Sequence, residues 1–230
     1  MAEHVSDRVT MVNVIVIVIV LVLVGVLLPV VMSFRSHRSG PTGMKNTTQI
    51  RGITQSLITY ADGNNTYYPG LNTKGEVLDI TVENRYWLML DQNYFTGDYA
   101  ISPSESKRAW TTGVVSSDHY SFSMLELEGD LGKEPDPGRG EEWRETISTQ
   151  AIILSDRNTG TDAHAGVQSI HRSSSSGYWT GSIGRNDGSA SFDSTHLQDT
   201  RYGKTGPVHI DDNLFEEAGA DDAYMIYTGE

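Results

Sequence analysis

The stretch from Met11 to Met32, MVNVIVIVIVLVLVGVLLPVVM, contains no charged residue and a single polar side chain, that of Asn13. At a rise of about 1.5 Å per residue, a helix of this length spans roughly 33 Å, which is sufficient to cross the hydrocarbon core of a bilayer. The alternation of Val and Ile is also typical of a buried β-strand, but strands of more than about 10 residues are uncommon. The stretch therefore predicts a transmembrane helix.

The remainder of the chain divides around that predicted helix. We expect four segments: a short N-terminal segment at 1–10, the transmembrane helix at 11–32, a linker or hinge at 33–43 and one head domain at 44–230. The linker is indicated by Ser39-Gly40-Pro41-Thr42-Gly43, because proline lacks an N–H group and disfavours helix in the residue before it. An ordinary loop is an equal alternative to a hinge at this position.

Composition excludes two classes of protein. The net charge is −13, and the chain from Thr205 onward contains acidic residues but no Lys or Arg. Because no basic stripe is present to neutralise phosphates, we expect no nucleic-acid partner. The chain also has no cysteine, which excludes disulfides and thiolate chemistry.

Hydrophobic spacing predicts an α+β head. Ile50, Ile53 and Leu57 recur at steps of three and four, which predicts a helix from Met44 to about Asp62. A second amphipathic helix is predicted over 84–95. Strands are predicted over 120–127 and 149–154, followed by a hairpin over 177–192 whose turn contains Asn186-Asp187-Gly188. The predicted fold class is therefore an N-terminal transmembrane helix and helical stalk, then an antiparallel β-sheet head packed against helix.

Two segments resemble bacterial prepilins and pseudopilins. The first is Val9-Thr10-Met11-Val12-Asn13 with the apolar run that ends in Leu27-Leu28-Pro29. The second is Lys45-Asn46-x-x-Gln49-Ile50-Arg51-Gly52-Ile53 followed by Tyr60-Ala61, two Asn and Tyr68-Pro69, which is similar to the end of the first long helix in that family. The C-terminal Trp179-Thr180-Gly181 strand with its Asp-Gly turn is similar as well.

The same resemblance implies a pilin-like head and a role in filament assembly. Two residues depart from the family pattern: Arg8 stands where its peptidase expects glycine, and Asn13 stands where the family has a glutamate. We therefore expect the N-terminus to stay uncleaved. The resemblance also implies membrane lipid and other pilin-like subunits as partners, contacted through the N-terminal helix, in a homo-oligomer or filament.

Orientation rests on two opposed indications. Arg35, Arg38, Lys45 and Arg51 follow the apolar run, and the positive-inside rule would place the head in the cytoplasm. Prepilin-like proteins often carry Arg just after the helix, so the resemblance implies the opposite. We expect a single-pass protein of the cytoplasmic membrane with a periplasmic or extracellular C-terminal domain.

Three oxygen-bearing side chains indicate a calcium loop. Asp156, Asn158 and Asp162 alternate with other residues in a D-x-N-x-G-x-D pattern, and Ca²⁺ prefers six to eight oxygen ligands. An Asx-rich turn without metal is the alternative. Calcium is the only cofactor that the sequence indicates.

No catalytic motif is found in the sequence. The seven histidines form no H-x-x-x-H or H-E-x-x-H pattern, and no G-x-S-x-G elbow is present. We therefore expect no enzyme but a structural or assembly subunit of a type IV pilus or a type II secretion-like pseudopilus. The alternative is a membrane-anchored cell-surface module that binds glycan or calcium and does not polymerise.

Overall fold

The computed structural model describes residues 13–14, 16–21, 41–127, 138–145, 147–164, 166–171 and 179–228. The chain divides into two compact units, Met1–Ser39 and Gly40–Glu230. In the first unit the described residues are helical and their side chains are exposed. The second unit contains the helices α1 (Pro41–Gly63) and α2 (Val82–Asp91), and the strands β1 (Phe122–Leu125), β2 (Ile152–Asp156), β3 (Gly181–Arg185), β4 (Ala190–Asp193), β5 (Leu197–Thr200), β6 (His209–Asn213) and β7 (Met225–Ile226).

The predicted transmembrane helix is contradicted by the structure. Of residues 11–32, the structure describes helix at 13–14 and 16–21, and none of the helices in the described part of the chain is long and apolar enough to cross a membrane. The described helix of 23 residues is α1, and it carries Lys45, Arg51 and Asp62 on its exposed face. The prediction rested on apolar length, which is sufficient for a membrane span only when the whole run forms one helix, and a helix of that length is not among the described residues of this run. The fold class is therefore α+β with an antiparallel sheet, and a long apolar N-terminal helix is not among the elements that the structure describes.

Helix α1 follows its apolar spacing. Ile50, Ile53 and Leu57 are fully buried, as an amphipathic helix packed on a sheet requires. The helix begins at Pro41, a residue favoured at the first helical position because its missing N–H has no partner there in any case. The predicted helix is confirmed, with a start three residues earlier than Met44, so that the end of the predicted linker lies inside it.

Helix α2 is also confirmed, with shifted bounds. It begins two residues before Asn84, because the Thr81 hydroxyl accepts a hydrogen bond of 3.3 Å from the Asn84 N–H and caps the first turn. It ends at Asp91, and Asn93 follows with a positive φ of 60°. That left-handed conformation is incompatible with further helix.

The main sheet has five antiparallel strands in the order β4-β3-β2-β1-β7. Strands β5 and β6 form a separate two-stranded sheet. Helix α1 packs on β2, β3 and β4, and the core lies between them. The β3–β4 hairpin is confirmed, with Gly188 at a φ of 78° in its turn.

Gly184 in β3 lets α1 approach the sheet closely. A Cβ atom at this position would lie 2.7 Å from Thr54 Oγ1 and 2.8 Å from Ile50 Cγ2, both on α1. These distances are shorter than real carbon contacts allow. The helix and β3 therefore sit closer together than any residue with a side chain would permit.

Candidate functional site

A buried carboxylate at the end of β2 organises a polar cluster beneath α1. Asp156 is fully buried and accepts hydrogen bonds from Asn46 Nδ2 at 2.8 Å, from the Ser182 N–H at 2.6 Å and from His171 Nε2 at 2.9 Å. These donors come from α1, from β3 and from the segment before β3. Three donors are the arrangement that a buried carboxylate needs in place of water. We call Asn46, Ser104, Asp156, His171 and Ser182 the Asp156 cluster.

The cluster extends from Asp156 to the surface through His171. The second ring nitrogen, Nδ1, lies 3.2 Å from Ser104 Oγ. The ring of Phe192 on β4 meets the imidazole edge-on, with centroids 5.2 Å apart. Because Nε2 donates to Asp156, Nδ1 is left to accept the Ser104 O–H. The result is a Ser–His–Asp chain of hydrogen bonds.

The loop that carries Ser104 is fixed to α1. Asn46 Oδ1 accepts a hydrogen bond of 2.9 Å from the Ser102 hydroxyl, and that hydroxyl accepts one of 3.0 Å from the Ser104 N–H. Gln49, one turn further along α1, donates to the Ile101 carbonyl at 2.8 Å. The position of Ser104 relative to His171 is thus set by the helix.

The structure separates the three predicted calcium ligands. Asp156 lies in the interior and bonds to α1 and β3, whereas Asn158 and Asp162 lie in the exposed loop that follows. Asn158 Nδ2 donates to the Asp162 carbonyl at 2.9 Å, so these two residues are brought together. Among the described residues, no group of three or more His, Cys, Asp or Glu side chains has the arrangement of a metal site. The calcium site stays a prediction.

Both loop residues use their side-chain oxygens within the loop. Asn158 Oδ1 accepts from the N–H groups of Gly160 and Gln168, at 2.8 and 2.9 Å. Asp162 Oδ1 accepts from those of Gly166 and His164, both at 2.8 Å. The same two bonds lower the pKa of Asp162, because they stabilise its ionised form. This is the geometry of Asx turns.

A groove of about 730 Å³ opens beside that loop, between it and the C-terminal segment. Its wall includes Asn158 and Asp162 together with three aromatic residues, Phe215, Tyr224 and Tyr227. Glu126 and Glu217 also line it, and both pair with Arg139, at 2.8 and 2.9 Å. None of the described lining residues is Lys, Arg or His, so the groove presents aromatic rings and oxygen atoms. We call it the aromatic groove.

Sequence reasoning missed the Asp156 cluster as a unit. Ser104 and His171 are 67 residues apart, and His171 and Asp156 are 15 apart, and no local motif contains all three. The pairing of β1, β2 and β3 brings them together. The one usable signal was Asp156 itself, a carboxylate at the end of the otherwise uncharged strand β2.

Comparisons with known proteins give no relative. No family model, curated protein or solved structure matches the chain. The functional interpretation therefore depends on the geometry described above.

Proposed function

We propose that the chain is a structural or assembly subunit of a type IV pilus or a type II secretion-like pseudopilus. The observation that carries this proposal is the placement of α1, which lies on the antiparallel sheet with one face buried and the other exposed. A helix laid on an antiparallel sheet is the arrangement that the resemblance to pilin-like proteins implies for the head. An exposed helix face then remains for contact with neighbouring subunits.

The buried face of α1 is fixed to the sheet by apolar and polar contacts. Ile50 and Thr54 pack on Gly184, and Asn46 bonds to Asp156. Thr47 Oγ1 lies 2.9 Å from Ser182 Oγ on β3. Because contacts of both kinds run along the helix, α1 and the sheet form one packed body.

The exposed face of α1 is polar and regular. Six of its exposed side chains recur at steps of three and four, which places them on one side of the helix: Met44, Thr48, Arg51, Gln55, Thr59 and Asp62. This surface is neither strongly acidic nor strongly apolar, in contrast to the chain as a whole with its net charge of −13. A weakly charged face tolerates a second copy beside it better than an acidic one does.

Recovery in filaments tests the proposal. The full chain is co-expressed with a pilus system, filaments are sheared from the cells, and the chain is quantified by mass spectrometry. We expect the wild type in the sheared fraction and at least fivefold less of Gln55→Trp, whose bulk would obstruct the exposed face. Val114→Trp is the matched control, because Val114 is 87% exposed on a loop outside α1. Absence of the wild type from sheared filaments would refute the proposal.

The aromatic groove favours a second candidate function, a cell-surface module that binds glycan. Sugars commonly stack on aromatic rings while their hydroxyl groups bond to carboxylate and amide oxygens, and the groove offers both. Calorimetric titration with neutral oligosaccharides, with and without Ca²⁺, tests this candidate. Binding that Tyr224→Ala abolishes would support it. No heat of binding to any oligosaccharide would reject it.

A further inference from the structure

We propose that Ser104 is a base-activated nucleophile that accepts an acyl group from an activated ester. Its hydroxyl lies 3.2 Å from His171 Nδ1, and His171 Nε2 lies 2.9 Å from Asp156 Oδ2. A nucleophile within hydrogen-bond reach of a base that a third group orients is the arrangement by which proteins activate serine. This site is separate from the exposed face of α1, and it does not depend on the function proposed above.

The imidazole is held in one orientation by its surroundings. Asp156 fixes Nε2 from one side, and the ring of Phe192 lies edge-on to it at 5.2 Å. Asp156 is in turn fixed by Asn46 and by the Ser182 N–H. A base whose partner is already oriented needs no rearrangement before it takes a proton. Asn46, Asp156 and Ser182 are positioning residues in this account.

Exposure increases along the chain of hydrogen bonds. Asp156 is fully buried, His171 is 4% exposed and Ser104 is half-buried in a surface loop. A cluster that served only to satisfy buried polar groups would have no need to end at the surface. Ser104 is thus the most exposed member of the cluster.

The negative charge nearest Ser104 in the sequence, that of Glu105, is compensated by cationic side chains. The nearest carboxylate in the sequence, Glu105, is neutralised by Arg157, whose Nη2 lies 2.6 Å from Glu105 Oε1. Lys107 Nζ lies 4.0 Å from the same oxygen. The loop around Ser104 therefore carries no uncompensated negative charge in these contacts.

The covalent step balances within the cluster. Ser104 Oγ attacks the carbonyl carbon of the ester, and a bond forms between them while the bond to the leaving alcohol breaks. The proton from Oγ passes to His171 Nδ1 and then to the departing alkoxide. The products are an acylated Ser104 and a free alcohol.

We assign acylation and not turnover because the two backbone N–H groups nearest the nucleophile in the sequence, those of Ser104 and Glu105, are already engaged. The Ser104 N–H donates to Ser102 Oγ at 3.0 Å, and the Glu105 N–H donates to the Ser102 carbonyl at 3.1 Å. Hydrolases that turn over rapidly use free backbone N–H groups to stabilise the oxyanion. The ligand class is thus an ester with a good leaving group, consumed once for each protein molecule.

A fluorophosphonate probe tests the proposal on the full chain. The probe loses fluoride when a serine oxygen attacks phosphorus, and peptide mapping then identifies the labelled residue. We expect one adduct, on Ser104, that forms in Ser106→Ala at the wild-type rate, since Ser106 lies exposed in the same loop. No adduct, or an adduct on another serine, would overturn the proposal. The adduct is mapped on the wild-type protein, so this result does not depend on whether a variant folds.

Two variants test the role of the base. His171→Gln should slow labelling at least tenfold, because general-base assistance contributes about 10²- to 10⁴-fold in known enzymes. Since the chain has no cysteine, Ser104→Cys and Ser106→Cys can be compared directly with iodoacetamide. Ser104→Cys should react faster although position 104 is less exposed. Equal rates, or a slower reaction of Ser104→Cys, would overturn the activation of this position.

Discussion

The carboxylate of Glu142 accepts a hydrogen bond of 2.8 Å from the side-chain amide of Asn186 in the β3–β4 turn. The same carboxylate accepts from the N–H groups of Ser148 and Gly203, at 3.1 and 2.7 Å. Asn186 Oδ1 in turn accepts from the Tyr68 hydroxyl at 2.7 Å. One buried carboxylate therefore connects the hairpin to three other segments of the head.

The first prediction concerns this connection. In Glu142→Gln, one acceptor oxygen becomes an NH₂ group that faces at least one N–H donor, so a buried donor loses its partner. We expect a loss of about 1–3 kcal/mol in the free energy of unfolding, measured by urea denaturation at pH 7. Glu145→Gln is the control and should change stability by less than about 0.5 kcal/mol. Equal effects of the two substitutions would show that the connection is not stabilising.

The second prediction concerns pH. Burial raises the pKa of Glu142 above its ordinary value of 4.5. The folded state then holds this proton more tightly than the unfolded state does. The stabilising contribution of the Glu142 carboxyl group to the free energy of unfolding is therefore complete below pH 4.5. It is lost as pH rises through the folded-state pKa of this group. The free energy of unfolding of the wild type minus that of Glu142→Gln should therefore be larger at pH 4 than at pH 7.

Asp162 provides a control of opposite sign for the pH measurement. Hydrogen bonds from Gly166 and His164 lower its pKa, so its contribution is present above the ordinary value of 3.8 and is lost as pH falls. The stability difference between wild type and Asp162→Asn should shrink at acid pH, while that of Glu142→Gln grows. Parallel behaviour of the two variants would contradict the assignment.

The third prediction concerns Trp179. Its side chain is fully buried and packs against Phe215, with ring centroids 5.6 Å apart. Trp179→Ala should lower the free energy of unfolding by about 3–5 kcal/mol, because a large buried ring is removed. Trp87, which is 37% exposed, is the control, and Trp87→Ala should cost less. A loss below about 1 kcal/mol at Trp179 would mean that the ring is accessible in solution.

The fourth prediction concerns the approach of α1 to the sheet. Gly184→Ala places a Cβ atom within 2.8 Å of Ile50 and Thr54 and should cost about 1–3 kcal/mol, because overpacking forces the helix away from β3. Gly63→Ala is the matched control, since a Cβ at Gly63 meets no atom within 4 Å. A Gly184→Ala protein as stable as Gly63→Ala would show that the helix does not lie against β3.

Local patterns predicted the parts of the fold that local interactions determine. The steps between Ile50, Ile53 and Leu57 sufficed for α1, and Asn186-Asp187-Gly188 sufficed for the hairpin, since helical periodicity and positive φ are short-range properties. The alternation expected around β1 is absent, because all four of its residues are buried. That strand is covered on both faces, which depends on residues far away in the chain.

Long-range pairing accounts for what sequence reasoning missed. Strand β7 pairs with β1 about 100 residues earlier, and Met225-Ile226 alone is too short to indicate a strand. Arg139, which follows a stretch rich in Gly, Pro and charged residues, is fully buried and bonds to Glu126 and Asp222. The Asp156 cluster depends likewise on three strands. The apolar run at 11–32 gave a strong local signal for a transmembrane helix, but no helix in the part of the chain that the structure describes is long and apolar enough to cross a membrane.

The central claim is that the exposed face of α1 contacts neighbouring subunits, and thiol cross-linking in intact filaments tests it most directly. Since the chain has no cysteine, Thr48→Cys and Thr59→Cys each introduce a single thiol on that face, and Val114→Cys introduces one on an exposed loop elsewhere. With a short bismaleimide linker, we predict dimers or higher oligomers from the α1 variants in sheared filaments, and monomer from Val114→Cys. The account would be contradicted if each variant entered filaments but cross-links formed only through position 114, or through none of the three positions.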